Sequence, residues 1–196
     1  MLAGALLSSR VREGETVQVI DTLRREHEVI RKALAVFESA ADAVQSGGSV
    51  REELFLKALE FVTRFVHRLH QAKEDILFRR LAGKGLAGPE AREHEDVREF
   101  AAACAKALPG AARGDPASRR MLAENAKAYV GILRSHIALE DSDILNAALQ
   151  SLSEEDDREI MAAFERVERD LGEGAAGRYE RLAGEIEDLA AAFGKR

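Results

Sequence analysis

The sequence His-Gln-Ala-Lys-Glu-Asp at residues 70–75 is repeated in a closely similar form, His-Ile-Ala-Leu-Glu-Asp, at residues 136–141. Each copy places a glutamate four residues after a histidine. Because residues four apart lie on the same face of an α-helix, each copy directs an imidazole and a carboxylate toward one point. The repeat therefore predicts two helices that each contribute a histidine–glutamate pair to a shared site.

Four long helical segments are predicted between the glycine- and proline-rich breaks of the chain. Their apolar residues recur every three or four positions, and the good helix formers Ala, Leu, Glu, Arg and Lys are abundant. Short connections between long helices favour antiparallel neighbours. We therefore expect an all-α fold, an up-down-up-down four-helix bundle with an additional C-terminal helical segment. The four predicted segments are residues 17–45, 50–82, 89–108 and 116–149.

Two single histidines occupy inward-facing positions in the other two segments. His27 continues the apolar stripe between Leu23 and Ile30, and His94 shares a helix face with Val97. Burying four imidazoles and two carboxylates together is unfavourable unless cations neutralise them. A mixed nitrogen and oxygen donor set suits iron, manganese or zinc. The predicted metal ligands are His27, His70, Glu74, His94, His136 and Glu140. The alternative is that these histidines are structural and are hydrogen-bonded to nearby carboxylates.

The bulk composition argues against several classes of function. A net charge of −6, with both signs interspersed, disfavours a nucleic-acid partner. One cysteine, Cys104, excludes an internal disulfide and is interpreted as a small core residue in a reducing compartment. No apolar run reaches membrane-spanning length, so we expect a cytoplasmic protein with no membrane partner. No glycine-rich phosphate loop or serine nucleophile motif is present.

The chain beyond the four segments is also predicted to be helical. Ser153 and the acidic residues after it are typical of a helix N-cap with an acidic first turn. We expect helices at about 154–170 and 176–193, forming a hairpin that either packs on the bundle or makes a dimer contact. The oligomeric state is accordingly a monomer or a homodimer. The predicted regions are an N-terminal extension at residues 1–16, the bundle at 17–150 and the C-terminal helical hairpin at 151–196.

The order of a single histidine, a His-x-x-x-Glu pair, a second single histidine and a second pair resembles the hemerythrin-like family, also called the HHE cation-binding domain. The resemblance covers about residues 17–150, and the sequences at 74–78 and 140–145 are also similar to those of bacterial members. It implies a left-handed four-helix bundle that holds two iron ions in a non-haem di-iron centre with an oxo or hydroxo bridge. Members of the family carry, store or sense dioxygen, and some act on peroxide, nitric oxide or iron.

The chain departs from the oxygen-carrying members of that family at two positions. Carriers have a second histidine one turn after the third-helix ligand, where this chain has Arg98. Carriers also use an aspartate five residues after the last histidine. Asp141 has that spacing, but on a regular helix it points about 140° away from His136, whereas Glu140 lies only about 40° away. We therefore expect Glu74 and Glu140 to bridge the metals and Asp141 to lie beside the ligands or at the surface.

The missing imidazole has a chemical consequence. It leaves a coordination position open, and a donor set richer in oxygen stabilises ferric iron. Reversible oxygen carriage needs a stable diferrous form, so the resemblance implies a protein that reacts with or senses peroxide, dioxygen or nitric oxide. Two alternatives stay open, a non-catalytic iron or oxygen binding or sensing protein and a metal-free helical interaction module. Enzymatic activity, catalase-like or directed at nitric oxide, is also left open.

His67 has three interpretations. In helical projection it lies about 60° from His70 and within about 20° of Glu74. It can act as an additional metal ligand, hydrogen-bond a bridging glutamate, or lie at the edge of the apolar stripe in contact with water. The last two are favoured. Tyr129, two turns before His136, is interpreted either as a hydrogen-bond donor to a metal-bound ligand or as a core residue, and the core position is favoured.

Overall fold

The computed structural model describes residues 17–86, 91–172 and 174–193, and the side chains of residues 91–94, 96 and 193 fall outside that description. Within these ranges the chain forms eight α-helices and two π-helical segments, with no strand. The predicted all-α class is therefore confirmed, whereas the predicted N-terminal extension at residues 1–16 lies outside the described residues. The elements are α1 (Gln18–Gln45), α2 (Glu52–Phe61), π1 (Val62–His70), α3 (Gln71–Gly83), α4 (Ala91–Ala112), α5 (Pro116–Leu139), π2 (Glu140–Ile144), α6 (Leu145–Ser151), α7 (Glu154–Asp170) and α8 (Ala175–Phe193).

Two long helical rods each contain a π-helical segment. The first rod runs through α2, π1 and α3, and the second through α5, π2 and α6, in place of the regular helices predicted at 50–82 and 116–149. A π-helical turn holds more residues than an α-helical turn, so it rotates the residues that follow it. Because π1 ends at His70 and π2 begins at Glu140, both distortions lie next to predicted metal ligands.

Helix α1 forms because its apolar stripe is buried along its full length. Leu23, Ile30, Leu34 and Phe37 are each no more than 1% exposed. The helix packs chiefly against α5 and α8. At its end, Gly47 turns the chain toward α2 with a φ of 89°, a conformation that glycine adopts without strain.

Helix α4 continues beyond residue 108, where the sequence analysis ended it, through Pro109 to Ala112. Proline lacks an N–H and removes one hydrogen bond from a helix. Here Ala107, Leu108 and Ala111 on either side of it are at most 3% exposed, and the most extensive helix contact of the fold joins α4 to α5. Tertiary packing therefore outweighs the local preference for a break.

The core contains two apolar clusters. The larger includes Phe37, Phe55 and Tyr129, and the smaller joins Leu77 of α3 to Phe164 of α7. Edge-to-face contacts place the ring centroid of Phe37 5.7 Å from that of Phe55 and 6.2 Å from that of Tyr129. The single thiol also lies in the larger cluster, as predicted, and burial raises the pKa of Cys104 to about 12.

Helices α7 and α8 both lie against earlier helices. The Oγ of Ser153 accepts a hydrogen bond from the backbone N of Asp156 at 3.1 Å, and the Asp156 carboxylate accepts one from the Ser153 backbone N at 2.9 Å. This reciprocal capping box starts α7 at Glu154, where the sequence predicted a helix. Helix α7 packs on α3 and α1, and α8 packs on α1 and α2. None of the described helices combines the length and apolarity needed to cross a membrane.

Candidate metal centre

Four of the predicted ligands converge in the interior. His27 comes from α1, His70 from the end of π1, Glu74 from α3 and Glu140 from the start of π2. Each is 1% exposed, and one donor atom from each lies within 4.8 Å of a donor atom from every other. Three separate stretches of the chain therefore place two imidazoles and two carboxylates around one point.

The two carboxylates face imidazole nitrogens on more than one side. The Oε2 of Glu140 is 3.3 Å from His27 Nε2, and its Oε1 is 3.1 Å from His136 Nε2. The Oε1 of Glu74 is 2.8 Å from His70 Nε2 and 3.5 Å from His27 Nε2. His136, which is 4% exposed, therefore joins the cluster through Glu140.

Two further carboxylates lie beside the Nδ1 atoms of His27 and His70, on the side of each ring away from the cluster. The Nδ1 of His27 is 2.8 Å from an oxygen of Asp141, which also pairs with Arg31. The Nδ1 of His70 is 2.9 Å from an oxygen of Glu26. A carboxylate that accepts a hydrogen bond from Nδ1 fixes the ring and leaves Nε2 as the nitrogen that can bind a metal. Asp141 thus lies beside a predicted ligand, one of the two positions expected for it.

Several inward-facing donor atoms lack a hydrogen bond of normal geometry. Within the described part of the chain this holds for His27 Nε2, His70 Nε2 and both carboxylate oxygens of Glu140. Buried polar atoms are rarely left in this condition, because each one loses its hydration without compensation. Nitrogen and oxygen donors aimed at a common point in this way fit a divalent cation of intermediate hardness.

Without metal, the cluster is balanced by protons. Burial lowers the pKa of His27, but the hydrogen bond to Asp141 and the nearby carboxylates of Glu140 and Glu74 outweigh it and raise the pKa to about 11. Burial likewise opposes protonation of His70, and the charge of Glu74 with the Glu26 hydrogen bond raises its pKa to about 9. The His70 charge in turn holds the pKa of Glu74 well below its usual range against the effect of burial. Metal binding must therefore displace protons from the imidazoles.

These shifts predict how the stability of the metal-free protein depends on pH. A group with a raised folded-state pKa stabilises the fold fully below its unfolded pKa, here 6.5, and that stabilisation is lost as pH rises through the folded value. The free energy of unfolding should therefore fall as the pH rises above 6.5. The contribution of His70 is lost by a pH of about 9, and that of His27 by a pH of about 11. Urea unfolding with a chelator present, from pH 6 to about 10.5, measures this decline.

A double variant provides the control for that experiment. His27→Gln with His70→Gln removes both titrating imidazoles and should flatten the pH profile. An equally steep decline in the double variant would show that other groups cause it.

The remaining predicted positions, His94, His67 and Arg98, differ in where the structure places them. The backbone of residue 94 belongs to α4, while the side chain of His94 lies outside the described residues. His67 lies outside the group of four; it is half-buried, and its Nε2 is 3.2 Å from the hydroxyl of Tyr129, which is fully buried in the core. Arg98 is exposed and donates a hydrogen bond of 2.8 Å to the side-chain oxygen of the buried Gln71.

Sequence reasoning missed Glu26 as part of the site. It is 7% exposed and bonds to both His70 and Lys73, and the paired charges hold its pKa below the usual value although burial opposes this. A signal was present, because Glu26 is three residues after Leu23 and four before Ile30, on the same buried stripe as His27. No sequence signal marked the two π-helical segments.

A helical protein with a buried cluster of imidazoles and carboxylates from facing helices belongs to a recognisable class, the helical metal-binding proteins with nitrogen and oxygen ligands. The family model for the hemerythrin HHE cation binding domain matches residues 18–148. This chain therefore belongs to the hemerythrin HHE family, as its ligand order predicted.

The chain is also similar to uncharacterized mycobacterial proteins, one from Mycobacterium bovis and others from two strains of Mycobacterium tuberculosis. Each is 24% identical to it over 180 residues, an alignment that covers 89% of this chain and 69% of the relative. No solved structure is a significant match. An alignment that covers 89% of this chain must extend past residue 148, where the matched family domain ends, and include α7.

Proposed function

We propose that this chain is a non-haem di-iron protein that reacts with or senses peroxide, dioxygen or nitric oxide and does not carry oxygen. We propose that residues 17–150 form an up-down-up-down four-helix bundle. Residues 151–196 would form a C-terminal helical hairpin that packs on this bundle. The proposed partner is a small ligand, either peroxide, dioxygen or nitric oxide, and the proposed location of the protein is the cytoplasm. The proposed metal ligands are His27, His70, Glu74, His94, His136 and Glu140.

The observation that carries the proposal is the position of the Glu140 carboxylate. Its two oxygens face different imidazoles, His27 at 3.3 Å and His136 at 3.1 Å, and neither oxygen makes a hydrogen bond of normal geometry with any described residue. A carboxylate whose two oxygens are directed at different imidazoles could hold a metal ion on each side. Glu140 has that disposition, and Glu74 lies across from it beside His70.

The residues around the cluster would orient the ligands. Asp141 and Glu26 hold the two central imidazoles by their Nδ1 atoms, which leaves Nε2 directed inward. Bound iron would supply one-electron redox chemistry toward a small oxygen- or nitrogen-containing ligand. The third-helix position where oxygen carriers have a second histidine is Arg98, whose guanidinium bonds to Gln71. This supports a site with fewer imidazoles and an open coordination position.

Elemental analysis of the protein isolated from iron-replete cells tests the proposal. We expect about two iron ions per chain and a near-ultraviolet charge-transfer band typical of a diferric centre. Manganese or zinc in place of iron would overturn the assignment of the metal, and protein free of metal would leave the helical interaction module as the better interpretation. Gas evolution after addition of hydrogen peroxide would then distinguish a catalytic protein from a sensor or an iron-binding protein.

A further inference from the structure

We propose that helix α7, which lies beyond the matched family domain, helps to position a histidine of the metal centre although it contributes no ligand itself. In this proposal Glu168 is a positioning residue that holds Lys73, and through Lys73 it keeps Glu26 hydrogen-bonded to the His70 imidazole. The inference rests on the proposed metal binding. It gives the C-terminal segment a specific task at that site.

A continuous chain of contacts joins the surface of α7 to the centre. The Nζ of Lys73 donates to Glu168 Oε1 at 2.6 Å and to Glu26 Oε1 at 2.5 Å. The other oxygen of Glu26 is 2.9 Å from His70 Nδ1, and His70 Nε2 is 2.8 Å from Glu74 Oε1. Three contacts therefore connect a carboxylate of the last third of the chain to an inward-facing imidazole.

The burial of Lys73 makes this chain of contacts energetically important. Its side chain is 0% exposed, and an ammonium group in the interior is strongly unfavourable unless paired. Two carboxylates, those of Glu26 and Glu168, share it, and the ring of Phe164, one turn before Glu168 on α7, lies 5.5 Å from Nζ. Helix α7 thus supplies both an anion and an aromatic face to one lysine.

Loss of the Glu168 charge should change the hydrogen bonding of Glu26. With one carboxylate left, the Lys73 ammonium would draw both oxygens of Glu26 toward itself, since it has three donors and no other anion within the described contacts. His70 would then lose the acceptor that fixes its ring. Removing such an outer partner of a metal-binding histidine weakens metal binding by about 10- to 100-fold in characterised sites.

Helix α7 can act as a fixed anchor because other contacts hold its first half. Asp157 accepts hydrogen bonds from the backbone N atoms of Val19 and Gln18, at 3.0 and 3.3 Å, and so caps the start of α1. Asp156 pairs with Arg80 of α3 at 2.5 Å. Because α7 is attached to both α1 and α3, Glu168 has a defined position relative to Lys73, although it is about one-third exposed.

The test compares Glu168→Gln with Glu165→Gln in the full-length chain. Glu165 is one turn earlier on α7, is 66% exposed and pairs only loosely with Arg169 at 3.7 Å, so it controls for loss of a negative charge on the same helix. Ferrous iron affinity is measured by chelator competition under nitrogen, and thermal unfolding is recorded with and without iron. We expect Glu168→Gln to bind iron about 10- to 100-fold more weakly and to gain less thermal stability from it, while Glu165→Gln matches the wild type.

The outcomes separate this inference from the proposed function. Wild-type protein that binds no iron would overturn the proposed function and this inference with it. Wild-type protein that binds iron, with equal affinities in both variants, would overturn this inference alone. A purely structural role for Glu168 would lower the melting temperature equally with and without iron and leave the affinity unchanged.

Discussion

The double variant Glu74→Gln, Glu140→Gln should retain no iron and should still fold. Both side chains are 1% exposed, and each lies within 3.5 Å of two imidazole nitrogens. Glutamine keeps the shape but presents a neutral amide, which binds divalent cations far less well than a carboxylate. We expect iron content to fall from about two ions per chain to a level indistinguishable from zero, a larger loss than the roughly 10- to 100-fold effect of an outer partner.

The metal-free form of the double variant should still fold but should be less stable than metal-free wild type near neutral pH. Removing both anions takes away carboxylates that stabilise the protonated imidazoles of His27 and His70, and breaking a buried charge pair from one side is destabilising. Elemental analysis and chelator-treated thermal unfolding measure the two effects separately. Glu60→Gln with Glu165→Gln, at positions 52% and 66% exposed, is the matched control. Iron retained by the buried double variant would contradict the assigned ligands.

Phe37→Ala should lose much of its stability while its metal stoichiometry is preserved in the folded fraction. Phe37 is 1% exposed and packs edge to face against Phe55 of α2 and Tyr129 of α5. Truncation of a buried phenylalanine to alanine costs about 3–5 kcal/mol, since apolar burial is lost and a cavity is left. For a chain of this length the melting temperature should fall by roughly 6–20 °C.

The variant Phe37→Leu is the control for cavity formation. It keeps most of the apolar volume and should lose only part of that stability. Urea unfolding of the iron-free forms gives the free energies, and iron per folded chain gives the stoichiometry. A Phe37→Ala protein as stable as the wild type would show that the three rings are not packed as described.

Most of the helical framework could be predicted because its signals are local. The stripe in α1, with its three- and four-residue steps, predicted a helix at 17–45, and the structure has Gln18–Gln45. The convergence of His27, His70, Glu74 and Glu140 followed from repeated spacing combined with helical geometry.

Other features depend on tertiary contacts that leave no local pattern. The end of α4 beyond Pro109 is set by packing on α5, which the sequence of α4 alone does not encode. Helical projection assumed α-helical geometry throughout, so it could not place His67, which lies within π1 and contacts Tyr129. The bond of Lys73 to Glu168 joins residues 95 positions apart.

The environment of Cys104 affects how any peroxide chemistry of this protein will be interpreted. Only the thiolate form of cysteine is a good nucleophile toward oxidants, and a thiol with a pKa of about 12 in an apolar interior is almost entirely protonated at neutral pH. The single sulfhydryl of the chain is therefore a poor scavenger. Peroxide consumption by the purified protein at neutral pH is therefore not expected to come from this thiol.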